Sequence, residues 1–150
     1  MKLKRIYIEN YKTYRKLDLN LEVTDERPII LIGGANGCGK TTPFDAIYHA
    51  LYGLQLTNRR QFEEIFNSGV KNEVGMVDRS IVLEVTFSGR VLGQETPYKL
   101  RRSYLYTGER VLESVVLNMD GNTYTYGSGS TVAQRSTNEM IVNKIISANL

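Results

Sequence analysis

The chain has 150 residues, a length that suits one domain with one hydrophobic core. Its apolar fraction of 41% is that of an ordinary globular protein, and a net charge of +3 neither requires nor excludes nucleic acid. A single cysteine and a single histidine exclude an intrachain disulfide and most histidine-based metal or triad chemistry. Because no apolar run approaches the ~20 residues of a membrane span, we expect a cytoplasmic protein without membrane association.

The first half of the chain predicts strands followed by a helix. Apolar residues alternate with polar ones over residues 3–8 and 17–21, which predicts two strands on either side of a turn at 10–14. Residues 29–32 are wholly apolar, which predicts a central strand covered on both faces. The apolar residues Phe44, Ile47, Ala50 and Leu51 then recur at helical spacing, and Gly53 is expected to end that helix.

The second half predicts mainly strands. A short helix is expected over residues 61–66 and is expected to end at 67–69. Strand patterns follow at 81–87, 98–104, 111–119 and 123–126, with hairpin turns at 107–109 and 120–122 and a flexible loop at 127–130. A final helix is predicted from a capping-box spacing of Ser136 and Glu139. Together these elements predict one α/β domain over residues 1–150, with an antiparallel β-rich lobe.

Residues 34–41 read Gly-Ala-Asn-Gly-Cys-Gly-Lys-Thr, the pattern of a phosphate-binding P-loop. Glycines let successive backbone N–H groups turn toward phosphate oxygens, and the helix that follows adds the positive end of its dipole. The ammonium of Lys40 is expected to reach the β- and γ-phosphates, and the hydroxyl of Thr41 to ligate Mg²⁺. The motif therefore predicts binding of ATP with Mg²⁺ by Gly34, Asn36, Gly37, Cys38, Gly39, Lys40, Thr41 and Thr42.

Three residues in or near the loop leave alternatives open. Asn36 either sends its amide toward the γ-phosphate or an attacking water, or is a plain turn residue. Cys38 is either a passive small side chain, the reading we favour, or a thiol activated by the helix N-terminus. Pro43 lies in the first helical turn, where a missing N–H is tolerated, and is expected to alter the helix start without adding chemistry.

A second carboxylate for magnesium is the feature that this sequence lacks. Hydrolysis of ATP needs such a group, usually at the end of an apolar strand. Asp78 and Asp120 do not follow a suitable strand, and Glu84 and Glu113 lie inside alternating strands where we expect them on the solvated face. We therefore expect nucleotide binding with little turnover, by one part of a composite ATPase.

The P-loop, continued by Asp45-Ala46-Ile47 and by the Ala-Leu-Tyr-Gly segment at 50–53, resembles the N-terminal part of SMC-like ABC ATPases. The SMC, RecF, RecN and SbcC-type proteins belong to this group, and the resemblance is closest to the DndD ATPases of DNA phosphorothioation. The resemblance implies that Lys12 and Thr13 approach the adenine or α-phosphate side and that Asn36 faces the γ-phosphate. It also implies that the Walker B, glutamine-loop and signature residues lie beyond residue 150, past a long coiled coil.

The resemblance implies partners as well. Two ATPase heads would sandwich ATP and act on double-stranded DNA with other subunits of a DNA-processing complex. The alternatives are a small P-loop kinase of a metabolite and a nucleotide-dependent binding module without catalysis. Tyrosines at 98, 104, 106, 124 and 126 either stack on bases or, as we favour, pack on the sheet. The candidates for DNA contact, whose alternative is simple solvated charge, are Lys4, Arg5, Lys12, Arg15, Arg59, Arg60, Arg101 and Arg102.

Overall fold

The computed structural model of the protein describes residues 1–91 and 93–127. Six strands form one sheet, and the strands are β1 (Lys2–Tyr11), β2 (Tyr14–Asn20), β3 (Arg79–Val91), β4 (Gln94–Tyr106), β5 (Val111–Met119) and β6 (Asn122–Gly127). The helices in this part of the chain are α1 (Thr42–Tyr52), α2 (Arg59–Ile65) and α3 (Ser68–Val74). The predicted final helix and most of the predicted loop at 127–130 lie outside the described residues.

The sheet is antiparallel at every pairing, with the strand order β2-β1-β3-β4-β5-β6. Strands β3 and β4 form its long central hairpin, with Leu83 opposite Arg102 and Val85 opposite Leu100. The alternating patterns in the sequence therefore predicted the strands of this sheet, although β4 extends well beyond residues 98–104 at both ends. An antiparallel sheet tolerates one solvated face, which explains the alternation.

Helix α1 lies across one face of the sheet and closes the core. Its small residues Ala46 and Ala50 are both 1% exposed, so the helix backbone approaches the strands closely. They pack in the same core as Ile8, Leu83 and Leu100, each of which is fully buried. Each such aliphatic side chain contributes about 1.5–3 kcal/mol through its burial. As predicted, the helix ends at Gly53, whose φ of 83° is left-handed.

Helices α2 and α3 follow each other directly, which the sequence did not predict. We expected residues 67–69 to end a single short helix, but Asn67 instead begins α3 because its side-chain oxygen accepts a hydrogen bond from Val70 N at 3.1 Å. Asn58 caps α2 in the same way through Gln61 N at 3.0 Å. Such N-caps contribute about 0.5–2 kcal/mol each, enough to define two short helices.

The expectation of a covered central strand at residues 29–32 is wrong in this structure. The segment has no assigned strand, and Ile29 and Leu31 are 82% and 91% exposed. A central strand needs a hydrogen-bonded neighbour on each side, and no strand of the described sheet pairs with this segment. Ile30 and Ile32 instead line an apolar groove of about 200 Å³ beside Phe44 of α1. Phe44, expected on the buried face, is itself exposed.

A buried ion pair joins β4 and β5 to the end of helix α1. Arg102 is fully buried, and its Nη1 donates to Glu113 Oε1 at 2.9 Å. Its Nε and Nη2 donate to the carbonyls of Ala50 and Leu51 at 2.6 and 3.2 Å. These carbonyls belong to the last turn of α1, where a cation is favourable. The expected solvated position of Glu113 is therefore wrong, because its side chain neutralises this guanidinium inside the core.

Glu84 lies on the face of the sheet opposite to the core that contains Glu113, but the expectation that it is solvated is also wrong. Its side chain is only 5% exposed because three cations cover it. Lys99 and Arg101 lie 3.0 and 3.2 Å from its carboxylate, and Arg5 lies 3.8 Å away.

In the part of the chain that the structure describes, no helix is long and apolar enough to cross a membrane.

Replacing Arg102 with methionine is predicted to destabilise the protein by about 3–5 kcal/mol. The change leaves the Glu113 carboxylate buried without its counter-charge and removes donors from two helix carbonyls. The matched control is Arg60→Met, because Arg60 pairs with Glu64 on the exposed face of α2 and such a pair contributes at most about 1 kcal/mol. Urea unfolding followed by circular dichroism measures both. Equal losses for the two variants would contradict the account of this ion pair.

Candidate nucleotide-binding site

The glycine-rich loop at residues 34–41 lies between the exposed apolar segment and helix α1. Gly37 and Gly39 have φ values of 81° and 82°, which glycine adopts without the penalty that a Cβ brings. Nζ of Lys40 donates to the carbonyls of Gly34 and Ala35, at 2.7 Å each, so the lysine folds back across its own loop. These bonds hold the ammonium against the start of the loop. Asn36 and Cys38 are exposed.

The first turn of α1 presents its backbone N–H groups at the end of this loop. Thr41 is the N-cap residue, is exposed, and makes no side-chain capping hydrogen bond. Thr42 and Pro43 are buried against the sheet, and Pro43 lies where the first helical turn tolerates its missing N–H. The predicted altered helix start is thus an ordinary proline-containing first turn. A helix N-terminus beside a lysine and an exposed threonine hydroxyl fits a phosphate group and its magnesium.

A second segment of the chain, the turn between β1 and β2, contacts the loop at Gly39. The Tyr14 hydroxyl donates to the Gly39 carbonyl at 3.3 Å. A Cβ built on Gly39 would overlap the Thr13 hydroxyl oxygen and would lie 3.2 Å from Thr13 Cβ. Only glycine therefore permits this approach of Thr13 to the loop. Thr13 therefore lies directly against the loop, and its contact with a nucleotide stays a prediction.

Lys12, in the same turn, forms an ion pair with the first turn of α1. Its Nζ lies 2.7 Å from Asp45 Oδ2 and 5.3 Å from the centre of the Tyr11 ring. Burial disfavours the Lys12 ammonium, but the bond to Asp45 and the nearby Tyr11 outweigh it, so the pKa of Lys12 is raised. Asp45 is also favourable at a helix N-terminus. The structure thus holds Lys12 beside the loop as a permanent cation.

Tyr11, directly before Lys12, contacts His49 of helix α1. The Tyr11 hydroxyl and His49 Nδ1 share a hydrogen bond of 2.8 Å, and their rings pack edge to face. Burial raises the pKa of Tyr11 and lowers the pKa of His49, and the Lys12 ammonium lowers the pKa of His49 further. Both groups therefore stay neutral near pH 7, which suits the buried Tyr11 and the half-buried His49.

The AAA domain family matches this sequence over residues 5–150. The chain belongs to the AAA domain family. Among curated proteins, this AAA domain is 41% identical over 59 residues to a DNA double-strand break repair Rad50 ATPase of Methanosarcina acetivorans. It is 39% identical over 61 residues to the SbcC component of the SbcCD nuclease of Staphylococcus epidermidis. These alignments cover 39% and 41% of the chain, and the chain spans only 5% and 6% of the two relatives.

A solved structure has the same fold as this AAA domain. It comes from work on ATP-driven dimerization and DNA stimulated activation of SMC ATPases, with a TM-score of 0.56 and 20% identity. The match covers 95% of this chain and 78% of the solved one. The predicted fold class, a P-loop ATPase lobe of mixed α/β structure with an antiparallel β-rich sheet, is therefore confirmed. The resemblance to the SMC and SbcC group is confirmed at the level of that group.

Each cation predicted as a DNA contact has a carboxylate partner in the AAA domain. Arg102 is excluded as a DNA contact because it is fully buried in the core. The other seven cations are partly or fully exposed, although Glu84, the partner of Arg101, is buried. An exposed ion pair contributes little, and a phosphate can compete for its cation. The seven pairs are Lys4–Glu95, Arg5–Asp18, Lys12–Asp45, Arg15–Glu73, Arg59–Glu63, Arg60–Glu64 and Arg101–Glu84. The structure therefore singles out no one of these seven as a nucleic-acid contact.

The aromatic residues favour packing over base stacking. Tyr98, Tyr104 and Tyr106 are buried on the face that α1 and α2 cover, and Tyr124 is partly exposed. The side chain of Tyr126 lies outside what the structure describes.

Sequence reasoning missed the roles of Asp45 and Tyr14 at the loop. The charge of Asp45 in the first helical turn was the available signal for one, whereas the contact of Tyr14 depends on tertiary structure alone.

Replacing Gly39 with alanine is predicted to cost about 2–4 kcal/mol of stability, because a left-handed conformation and an overlap with Thr13 add together. Gly37, in the same loop, and Gly33, directly before it, are matched controls. Gly37→Ala meets only the left-handed penalty, about 1–2 kcal/mol, because no heavy atom lies within 4 Å of its added Cβ. Gly33→Ala, which has neither problem, stays within about 0.5 kcal/mol. Denaturant unfolding tests this order, and equal costs at 37 and 39 would refute the Thr13 contact.

The free energy of unfolding is predicted to fall as the pH decreases below 6.5, the ordinary pKa of histidine. The pKa of His49 is lowered in the folded state. As the pH falls, His49 therefore binds a proton in the unfolded chain before it does so in the folded protein, and this protonation stabilises the unfolded state. The loss continues until the pH reaches the folded pKa. Urea unfolding between about pH 7.5 and about pH 5.5 measures it. Because His49 is the only histidine, His49→Gln should flatten this dependence, and an unchanged slope would refute the assignment.

Proposed function

We propose that the AAA domain binds ATP with Mg²⁺ at the loop formed by residues 34–41. The observation that carries this proposal is the geometry of Lys40, whose ammonium lies across the loop directly before the N-terminus of α1. Two left-handed glycines allow the backbone amides of the loop to converge on an anion. A triphosphate would then replace the Gly34 and Ala35 carbonyls as the acceptor for Lys40.

Each remaining site residue has a separate task in this proposal. Backbone N–H groups from Gly37 to Thr42 bind the phosphate oxygens, and the α1 dipole favours their charge. Asn36, exposed at the tip of the loop, faces the γ-phosphate. The hydroxyl of Thr41 ligates Mg²⁺, which when bound neutralises phosphate charge. Cys38 contributes only its backbone. Lys12 and Thr13 approach the adenine or α-phosphate side of the nucleotide, a role supported by the contacts of Thr13 with Gly39 and of Lys12 with Asp45.

We propose further that this chain is one part of a composite SMC-like ATPase head that serves DNA repair or modification. The Rad50 and SbcC relatives support this because the chain matches only a small share of their length. Exposed apolar side chains also support it. Ile29 and Leu31 are exposed in the segment before the loop, and Phe44, Tyr48 and Tyr52 are exposed at four-residue spacing along one face of α1. A second lobe that supplies strands would pair with residues 29–32 and cover these side chains.

The partners and the catalytic groups follow from this arrangement. The Walker B carboxylate, glutamine loop and signature motif would lie beyond residue 150, and a second head would complete each ATP site. Double-stranded DNA and other subunits of a DNA-processing complex are the proposed partners of the assembled protein. A specific relationship to the DndD ATPases stays a hypothesis based on the Gly-Gly and Ala-Leu-Tyr-Gly segments. Within the described residues, no group of three potential metal-ligating side chains was found.

The two alternative functions fare differently. A metabolite kinase would have a parallel sheet with helices on both faces, whereas every strand pairing described here is antiparallel. The sheet therefore disfavours the kinase. A nucleotide-dependent binding module without catalysis remains an alternative, because it needs only the loop. Turnover by the complete ATPase, compared with turnover by this chain, distinguishes the module from the composite enzyme.

Lys40→Ala is predicted to weaken binding of Mg-ATP by at least about tenfold. A charge-assisted hydrogen bond contributes about 1.5–3 kcal/mol, and 1.4 kcal/mol corresponds to a factor of ten. Isothermal titration calorimetry of the purified protein measures the affinity. The control is Lys16→Ala, which removes an exposed lysine of β2 that lies over the Tyr7 ring and has no contact with the loop. Unchanged affinity in the Lys40 variant would refute the proposed site.

A further inference from the structure

The turn between β1 and β2 is held in an unfavourable backbone conformation. Asn10 and Lys12 have φ values of 54° and 49°, in the left-handed region that residues with a Cβ avoid. Each such residue costs on the order of 1 kcal/mol and persists only when surrounding contacts determine it. Two of them flank the fully buried Tyr11. The contacts that hold this turn must therefore offset the conformational free energy of two left-handed residues.

These contacts come from the junction between α2 and α3. The Lys12 N–H donates to the Ile65 carbonyl at 2.7 Å, and the Asn67 N–H donates to the Asn10 carbonyl at 3.0 Å. Phe66, between them, forms a β-bridge with Tyr11. A further bond, from Asn10 Nδ2 to the Ser80 carbonyl at 2.9 Å, fixes the start of the turn. The junction therefore holds the turn through two backbone hydrogen bonds and one isolated bridge.

The side chain of Asn67 completes this junction from a nearly buried position. Its Nδ2 donates to the Lys12 carbonyl at 2.8 Å, and its Oδ1 accepts from Val70 N at 3.1 Å. Asn67 is only 7% exposed, so leaving either partner unpaired would be costly. One amide thus begins α3 and at the same time fixes the orientation of the Lys12 peptide. Asparagine is the side chain that offers a donor and an acceptor at this length.

Two residues of the turn, Lys12 and Thr13, contact helix α1 and the nucleotide loop. With the Lys12 carbonyl fixed toward Asn67, the Lys12 side chain reaches Asp45 in the first turn of α1. Thr13, the next residue, lies directly against Gly39. A rotation of the Lys12 peptide would move both contacts together. The contacts that the turn makes with Gly39 and Asp45 therefore depend on Asn67, the N-cap residue of α3.

We infer that Asn67 is a positioning residue for nucleotide binding, acting through the Lys12–Thr13 turn. This inference rests on the proposed function of the loop and assigns a role to the α2–α3 unit in that function. Asn67 itself makes no contact with the loop residues. Its amide holds Lys12 and Thr13 in the orientation that the nucleotide meets, so that this orientation does not have to be selected at the time of binding.

Two substitutions separate positioning from helix capping. Asn67→Asp and Asn67→Ser both keep an oxygen that can cap α3, because Asp and Ser are good N-cap residues. Both lose the amide donor to the Lys12 carbonyl. The matched control is Asn58→Ser, which changes the N-cap of α2, where Asn58 accepts from Gln61 N, without affecting any bond to the turn. Melting temperatures by circular dichroism identify the variants that are folded, and Asn67→Ser decides alone if Asn67→Asp does not fold.

The expected result is a loss of affinity confined to the Asn67 variants. Calorimetry at a temperature where the variants are folded should give Mg-ATP binding about five- to tenfold weaker than in the unchanged protein, in line with the loss of one hydrogen bond. Asn58→Ser should bind as the unchanged protein does. The Asn67→Ser and Lys12→Ala effects should also be non-additive when combined, because they act through the same turn. A purely structural role would give additive effects.

Two results would overturn the inference, and Lys40→Ala keeps it separate from the proposed function. If Asn67→Ser binds Mg-ATP as tightly as Asn58→Ser while Lys40→Ala binds at least about tenfold more weakly, the positioning role is wrong and the site stands. Additive effects of Asn67→Ser and Lys12→Ala would exclude action through the turn in the same way. If Lys40→Ala binds as well as the unchanged protein, the proposed function itself fails, and the inference fails with it.

Discussion

The architecture of this AAA domain depends on one buried guanidinium. Arg102 binds Glu113 on the neighbouring strand and the carbonyls of Ala50 and Leu51 at the end of α1. The same face of β4 adds the Tyr104 hydroxyl, which accepts from Leu54 N just after the helix. These bonds fix where α1 ends on the sheet. Since a helix is a rigid rod over this length, they also determine where its first turn, and the phosphate-binding loop before it, must lie.

The loop is approached from two sides by parts of the chain that are distant in sequence. Helix α1 supplies the amides and the dipole, and the turn after β1 supplies Thr13 and Lys12. That turn is itself fixed by Asn67 at the α2–α3 junction. The turn after β1 thus meets the loop before α1 at Gly39, where the absence of a Cβ permits close approach. This convergence explains how a mainly antiparallel β structure positions the candidate nucleotide-binding site.

Much of this structure could be predicted from local patterns, and the failures have a common cause. Helix α1 and the strands followed from periodicity, and the loop followed from its motif. Residues 29–32 are apolar as a central strand would be, but pairing needs a neighbour that periodicity does not reveal. Arg102 and Glu113 continue alternating patterns, and only their tertiary contacts place them in the core. Asn67 resembled a helix stop, because an N-cap and a turn use the same residue types.

We propose that the loop and the turn after β1 form one site for Mg-ATP. A nuclear magnetic resonance titration of the isotope-labelled protein with Mg-ATP tests this proposal. The amide signals of residues 36–42 and of Lys12 and Thr13 should shift together, with a single dissociation constant, while those of β6 stay in place. Shifts elsewhere that leave residues 36–42 unchanged would refute a shared site.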